Sequence, residues 1–181
     1  FDGATDPTLN NYSKIREAQA GLRSLPYTGI AVTMDVGNLT DVHPKDKKPV
    51  GERLAAVALN KTYGLTAVAC LGPQPNYAGF TQGYEGNNYI ATIKYITGTA
   101  NGLTTKNNTP LAQVFFVAGS DHIFRQATAS ISGTTVKLIV PAGTPLPVIA
   151  ARYAFTNIAM TNLQNSDGLP AEPFRTDNWT N

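Results

Sequence analysis

The sequence predicts a mixed α/β chain: a helix, strand and helix over residues 1–64, then a small β-sandwich over 65–181. Three observations carry that reading. Up to about Tyr63, apolar residues recur at helical spacing on both sides of one short apolar run. From Leu65 onward, short strand-like runs alternate with turn residues. No internal repeat or low-complexity tract crosses the change of texture near Tyr63 to Thr66.

Taken in order, Ser13 precedes the run Lys14-Ile15-Arg16-Glu17-Ala18-Gln19-Ala20-Gly21-Leu22 and supplies a helix start signal, with Leu25-Pro26 closing it. Ile30-Ala31-Val32-Thr33-Met34 reads as a buried strand. A second helix follows, with Asp46 as its cap and Pro49 in its first turn. Val50, Leu54, Val57 and Ala58 fall on one face of it, and Gly64 stands where a left-handed C-terminal residue belongs. A lone strand between two helices cannot bury both its faces. It needs the rest of a parallel sheet, so these residues are expected to belong to a larger domain.

In the second region the strand candidates are 89–97, 113–118, 127–131, 135–140 and 148–155, with Ser132-Gly133 as a hairpin turn. Gly and Pro cluster elsewhere between them, as at Ala142-Gly143-Thr144-Pro145. Five short strands at this spacing suggest a sandwich.

Composition narrows the function classes. The 181 residues are 42% hydrophobic and 14% charged, which describes a globular chain. A net charge of +2 without any run of Lys or Arg argues against nucleic acid as a partner. No apolar run reaches the roughly 18–20 residues that span a bilayer, so no membrane partner is expected either. Cys70 is the single cysteine, which rules out an intrachain disulfide and a cysteine-rich zinc cluster. The two histidines, His43 and His122, share no ligand spacing, and no metal or other cofactor is expected.

The most informative stretch is Asn38-Leu39-Thr40-Asp41-Val42-His43-Pro44-Lys45-Asp46-Lys47, a polar loop between the apolar run and the second helix. A histidine beside a carboxylate on such a loop is a common seat for a hydrolase's general base. The longer string Asp41-Val42-His43-Pro44-Lys45-Asp46-Lys47, with Val50-Gly51-Glu52-Arg53-Leu54-Ala55, resembles the sialate O-acetylesterase family of SGNH hydrolases. Its D-I-H-P-x-[ND]-K-x-x-V-G-x-R-L-A pattern carries the catalytic histidine, and Val42 for isoleucine is the departure here. Two further blocks fit in the right order: Arg16-Glu17-Ala18-Gln19 with Leu25-Pro26-Tyr27-Thr28-Gly29, and Asn165-Ser166-Asp167-Gly168-Leu169-Pro170-Ala171-Glu172-Pro173-Phe174-Arg175-Thr176-Asp177.

The resemblance implies the last helix-strand-helix part of an SGNH catalytic domain followed by the sandwich, with His43 as general base. The family's serine, glycine and asparagine blocks have no counterpart in this chain, which opens at Phe1. The expectation is therefore a C-terminal portion, inactive by itself, whose partner is the N-terminal part of the same enzyme carrying the nucleophilic serine. O-acetylated sugars are the implied substrate, and secretion or a periplasmic location is expected. Sialic acid follows from the family name; acetylated xylan is the alternative, as is a non-catalytic carbohydrate-binding or structural β-module.

Asp41 has two readings. The usual SGNH spacing, D-x-x-H, falls on Thr40, which cannot hold an imidazolium by charge. Asp41 can turn its carboxylate to Nδ1 of His43, or a backbone carbonyl can take that place while Asp41 serves as a turn residue. Asp35 is a reserve candidate for the same role. Ser120-Asp121-His122 looks like a hydrolase triplet, but neighbouring side chains on extended backbone point to alternating faces, and the resemblance implies a turn between β-strands here. Arg152, Arg175 and Asp177 are expected to tie the two regions together by bidentate ion pairs rather than to bind a sugar carboxylate. Tyr84, Tyr89 and Trp179 are aromatic candidates for core, interface or sugar stacking.

Overall fold

The computed structural model describes residues 10–41, 43–77 and 80–180. Phe1 and Val42 lie outside that set.

Helix α1 spans Asn11–Gly21 and runs into a 3-10 turn at Leu22–Ser24. It starts two residues before Ser13, which therefore does not cap it. The Ser13 hydroxyl is instead buried and donates to the Thr156 carbonyl at 2.6 Å, a tertiary anchor. Helix α2 spans Lys48–Lys61, with Lys47 rather than Asp46 at its cap position and Pro49 in its first turn, where a missing N–H costs nothing. Gly64 takes a left-handed φ of 72° just beyond its end. Val57 is buried on α2, while Leu54 remains 49% exposed on the same stripe.

The run Ile30-Met34 is not a strand here. It is half-buried and follows α1 toward the loop, yet among the described residues no strand lies beside it to complete a ladder. Pairing defines a strand, and an apolar run without a neighbour forms none. Gly29 leads into it where the backbone passes so close to Val57 that a side chain at 29 would collide with it.

The remaining elements are β1 Thr81–Glu85, β2 Asn88–Lys94, β3 Thr104–Thr105, β4 Phe115–Ala118, β5 Arg125–Gln126, β6 Thr128–Ser132, β7 Thr135–Ile139, β8 Ala150–Tyr153, β9 Leu163–Gln164 and β10 Phe174–Arg175. They form two antiparallel four-stranded sheets, ordered β1-β2-β7-β6 and β10-β8-β4-β5, and a small β3-β9 pair. In the first sheet Ala91 sits opposite Leu138 and Ile93 opposite Val136, so every second residue points inward. These join Phe115, Val117, Ala151, Tyr153 and Phe174 of the second sheet in one core. Burying such side chains contributes about 1.5–3 kcal/mol each.

Strands β4 and β8 are buried along their whole length. The buried Arg152 of β8 forms a two-point pair with Asp177 at 2.7 and 2.9 Å, and its guanidinium lies 3.8 Å from the Phe124 ring. That ion pair pins the chain's C-terminal stretch within the β-region. The tie to the first region comes from Arg175, whose guanidinium grips Glu17 of α1 with two bonds of 2.8 Å. Arg23 with Glu172 at 2.7 Å, and Arg16 donating to the Thr156 carbonyl at 2.6 Å, complete the attachment of α1.

Candidate functional site

The loop from Gly37 to Lys47 is shaped by its own side chains. Asn38 accepts the Thr40 amide at 2.9 Å, and Asp41 accepts the His43 amide at 2.9 Å, so two short side-chain-to-backbone turns follow each other. Pro44 then disfavours helical backbone at His43 and keeps it at the loop's bend. The loop is closed at its root. Arg53 of α2 meets the Asp35 carboxylate at 2.6 and 2.7 Å and also donates to the Val32 carbonyl at 2.7 Å.

Asp41 and His43 are brought together. Nδ1 of His43 lies 3.3 Å from Oδ1 of Asp41, longer than the ~2.9 Å of a well-formed bond but in reach of one. The same carboxylate oxygen holds the His43 amide, so the turn and the pairing are made by one group. The His43 side chain is 86% exposed, and its ring has no other polar contact among the described residues. An imidazole so placed has a free Nε2 edge open to a group from outside.

Asp35 is held elsewhere. It is buried among Arg53, Lys106 and the backbone, and its hydrogen bonds go to those two cations rather than to His43. Burial pushes its carboxyl up, but the Arg53 guanidinium and Lys106 ammonium outweigh that and hold it below the usual carboxylate range. Arg53 stood in the sequence motif without a visible role; Lys106 carried no signal, because its partner lies far away in the chain.

The other candidates do not converge on a reacting atom. Asp121 accepts the Ile123 amide and pairs with Arg125 at 2.8 Å. His122 occupies a turn at φ 60° and stacks on Trp179, with ring centroids 3.8 Å apart. Trp179 thus spends one face on His122, and Tyr84 packs edge-on against Tyr89 at 4.9 Å. Cys70 is half-buried and unpaired. Among the described residues no three His, Cys, Asp or Glu side chains gather as metal ligands, and no helix is long and apolar enough to cross a membrane.

A cavity of about 500 Å³ lies between α1, the 30–34 run and the β10 end of the sandwich. Its walls are largely apolar and include Ile30, Val32, Met34, Phe155 and Phe174, with Arg16 also lining it. Neither Asp41 nor His43 lines it.

No protein-family model matches the chain, and no curated protein matches it. Among solved structures it is similar to the crystal structure of a novel carbohydrate acetylesterase from Xanthomonas citri. The identity is 33% and the TM-score 0.82, over 98% of this chain and 39% of that one. The described residues hold two α-helices and more strand than helix, and the chain is similar in fold to part of that carbohydrate acetylesterase, spanning about two fifths of its length.

Proposed function

We propose that this chain is the general-base portion of a carbohydrate O-acetylesterase of sialate O-acetylesterase type. His43 takes a proton from a serine hydroxyl as that oxygen attacks the acetyl carbonyl. It then returns the proton to the sugar oxygen as the ester bond breaks, leaving an acetyl-serine. Water, activated by the same imidazole, releases acetate and restores the serine. Asp41 holds the proton on Nδ1, so that Nε2 faces the nucleophile as an acceptor, and it stabilises the imidazolium that forms between the two transfers.

The reading rests chiefly on the likeness to the Xanthomonas citri acetylesterase over nearly the whole chain, together with the Asp41–His43 pairing. The serine and the groups that stabilise the tetrahedral oxyanion belong to polypeptide outside this sequence. The unpaired 30–34 run and the apolar cavity beside it support that assignment, since they offer apolar surface without a neighbour to such a segment.

Acetate release from O-acetylated sialic acid and from acetylated xylan tests activity and substrate together. The proposal expects the intact protein to cleave at least the sialic acid ester, with a fluorophosphonate labelling one serine and abolishing turnover. Faster deacetylation of xylan would move the substrate and keep the mechanism. A preparation that releases acetate from neither, or that is unaffected by the fluorophosphonate, contradicts it.

A further inference from the structure

The ion-pair cluster around Asp35 joins three separate pieces of the molecule. One is the end of the apolar run, through Asp35 itself and the Val32 carbonyl. The second is α2, through Arg53. The third is the β-region, because Lys106 reaches across to donate to both a carboxylate oxygen and the backbone carbonyl of Asp35, each at 3.2 Å. From Asp35 the chain runs outward to His43 and returns along α2 to Arg53, so the whole histidine loop hangs from this one cluster.

Lys106 is itself held firmly. Its amide donates to the Asn162 carbonyl at 2.7 Å, next to the β3-β9 pair. The two residues after it, Asn107 and Asn108, both take left-handed φ near 58° and 53°, a conformation asparagine tolerates better than most residues. The Asn162 side chain braces the far side of that turn by donating to the Pro110 carbonyl at 2.7 Å. A rigid β-turn thus aims one cation at the root of the loop.

We infer that Lys106 is a positioning residue, through which the β-region fixes the His43 loop by way of Asp35 and Arg53. The inference rests on the catalytic reading of His43 for its consequence, but not for the fastening itself. Arg53 and Asp35 alone can close the loop on α2. Lys106 is the member that ties this closure to the β-region, which gives that region a part in the reaction without touching substrate.

The test uses Lys106→Met, which keeps the apolar stem and removes the charge, with Lys106→Arg as the conservative rescue. Lys106 is 40% exposed along its side chain, so the methionine variant can fold without burying anything new. In the intact protein, hydrogen exchange of the amides over 36–47 is expected to speed up several-fold in Lys106→Met, with β6 and β7 unchanged and Lys106→Arg close to wild type. kcat falls about ten- to a hundredfold, as displacing a catalytic group by an ångström does, while KM changes less than twofold. Unchanged exchange in the loop overturns the inference, as does a loss of protection spread equally over β6 and β7. If the loop loosens while His43→Ala keeps full activity, the fastening stands and the catalytic role of His43 falls.

Discussion

Arg53 and Asp35 meet fork to fork, at 2.6 and 2.7 Å, across the base of the loop that carries His43. The carboxylate is almost wholly buried and the guanidinium nearly so. Geometry of this kind determines what happens when Arg53 is removed, because the buried Asp35 carboxylate then keeps only its single 3.2 Å contact with Lys106.

Replacing Arg53 by Met is accordingly expected to lower stability by about 1–3 kcal/mol. Urea denaturation would record this as an earlier midpoint at an unchanged slope. An effect below about 1 kcal/mol would mean that the pair is solvated.

The same pair sets a pH dependence. Asp35 has its carboxyl held below the usual range in the folded state, so the unfolded chain binds the proton more readily. Its contribution is complete above the unfolded value of about 3.9 and is lost as pH falls through the lower folded value. Between pH 7 and 5 the stability gap between wild type and Asp35→Asn should therefore be constant. Below about pH 4 it should narrow, which denaturation midpoints at stepped pH will show. A gap that narrows between pH 7 and 5 would contradict the assignment.

Arg152 and Asp177, both buried, form a pair inside the β-region rather than a sugar-carboxylate site. Asp177→Asn should destabilise by about 3–5 kcal/mol and leave KM for a sialic acid ester within twofold of wild type. A large rise in KM without loss of stability would show that the guanidinium meets substrate.

Asp41→Asn keeps the oxygen that makes both contacts to His43 and removes its charge. Asparagine keeps an oxygen for the His43 amide, as Asn38 does for Thr40, so the loop turn should survive. That oxygen also faces Nδ1 of His43, but it no longer carries the charge that stabilises the imidazolium. A fall in kcat of at least about tenfold is expected, with little change in melting temperature. Unchanged kcat would leave Asp41 as a turn residue alone.

Much of this was legible from residue pattern. The apolar spacing of Val50, Leu54 and Val57 announced α2, and strand-like runs bounded by turn residues announced β2 and β7 at the centre of the first sheet. Strand β1, Thr-Gln-Gly-Tyr-Glu, gave no such signal because it lies at a sheet edge with both faces largely exposed. Two-residue strands such as β5 and β10 are too short to carry a period at all. Residues 30–34 misled for the opposite reason: their composition is that of a buried strand, but pairing depends on a neighbour. Asp41 and His43 could be read because they are two positions apart, whereas nothing local links Lys106 to Asp35.

The most direct measurement is the turnover of the intact protein with His43→Ala on O-acetylated sialic acid. With its side chain 86% exposed, His43 contributes little to packing, so the variant should melt where the wild type does. Its kcat is predicted to drop by about 10²–10⁴-fold, the contribution of a well-placed general base. Near-wild-type turnover in a folded variant would contradict the account at its centre.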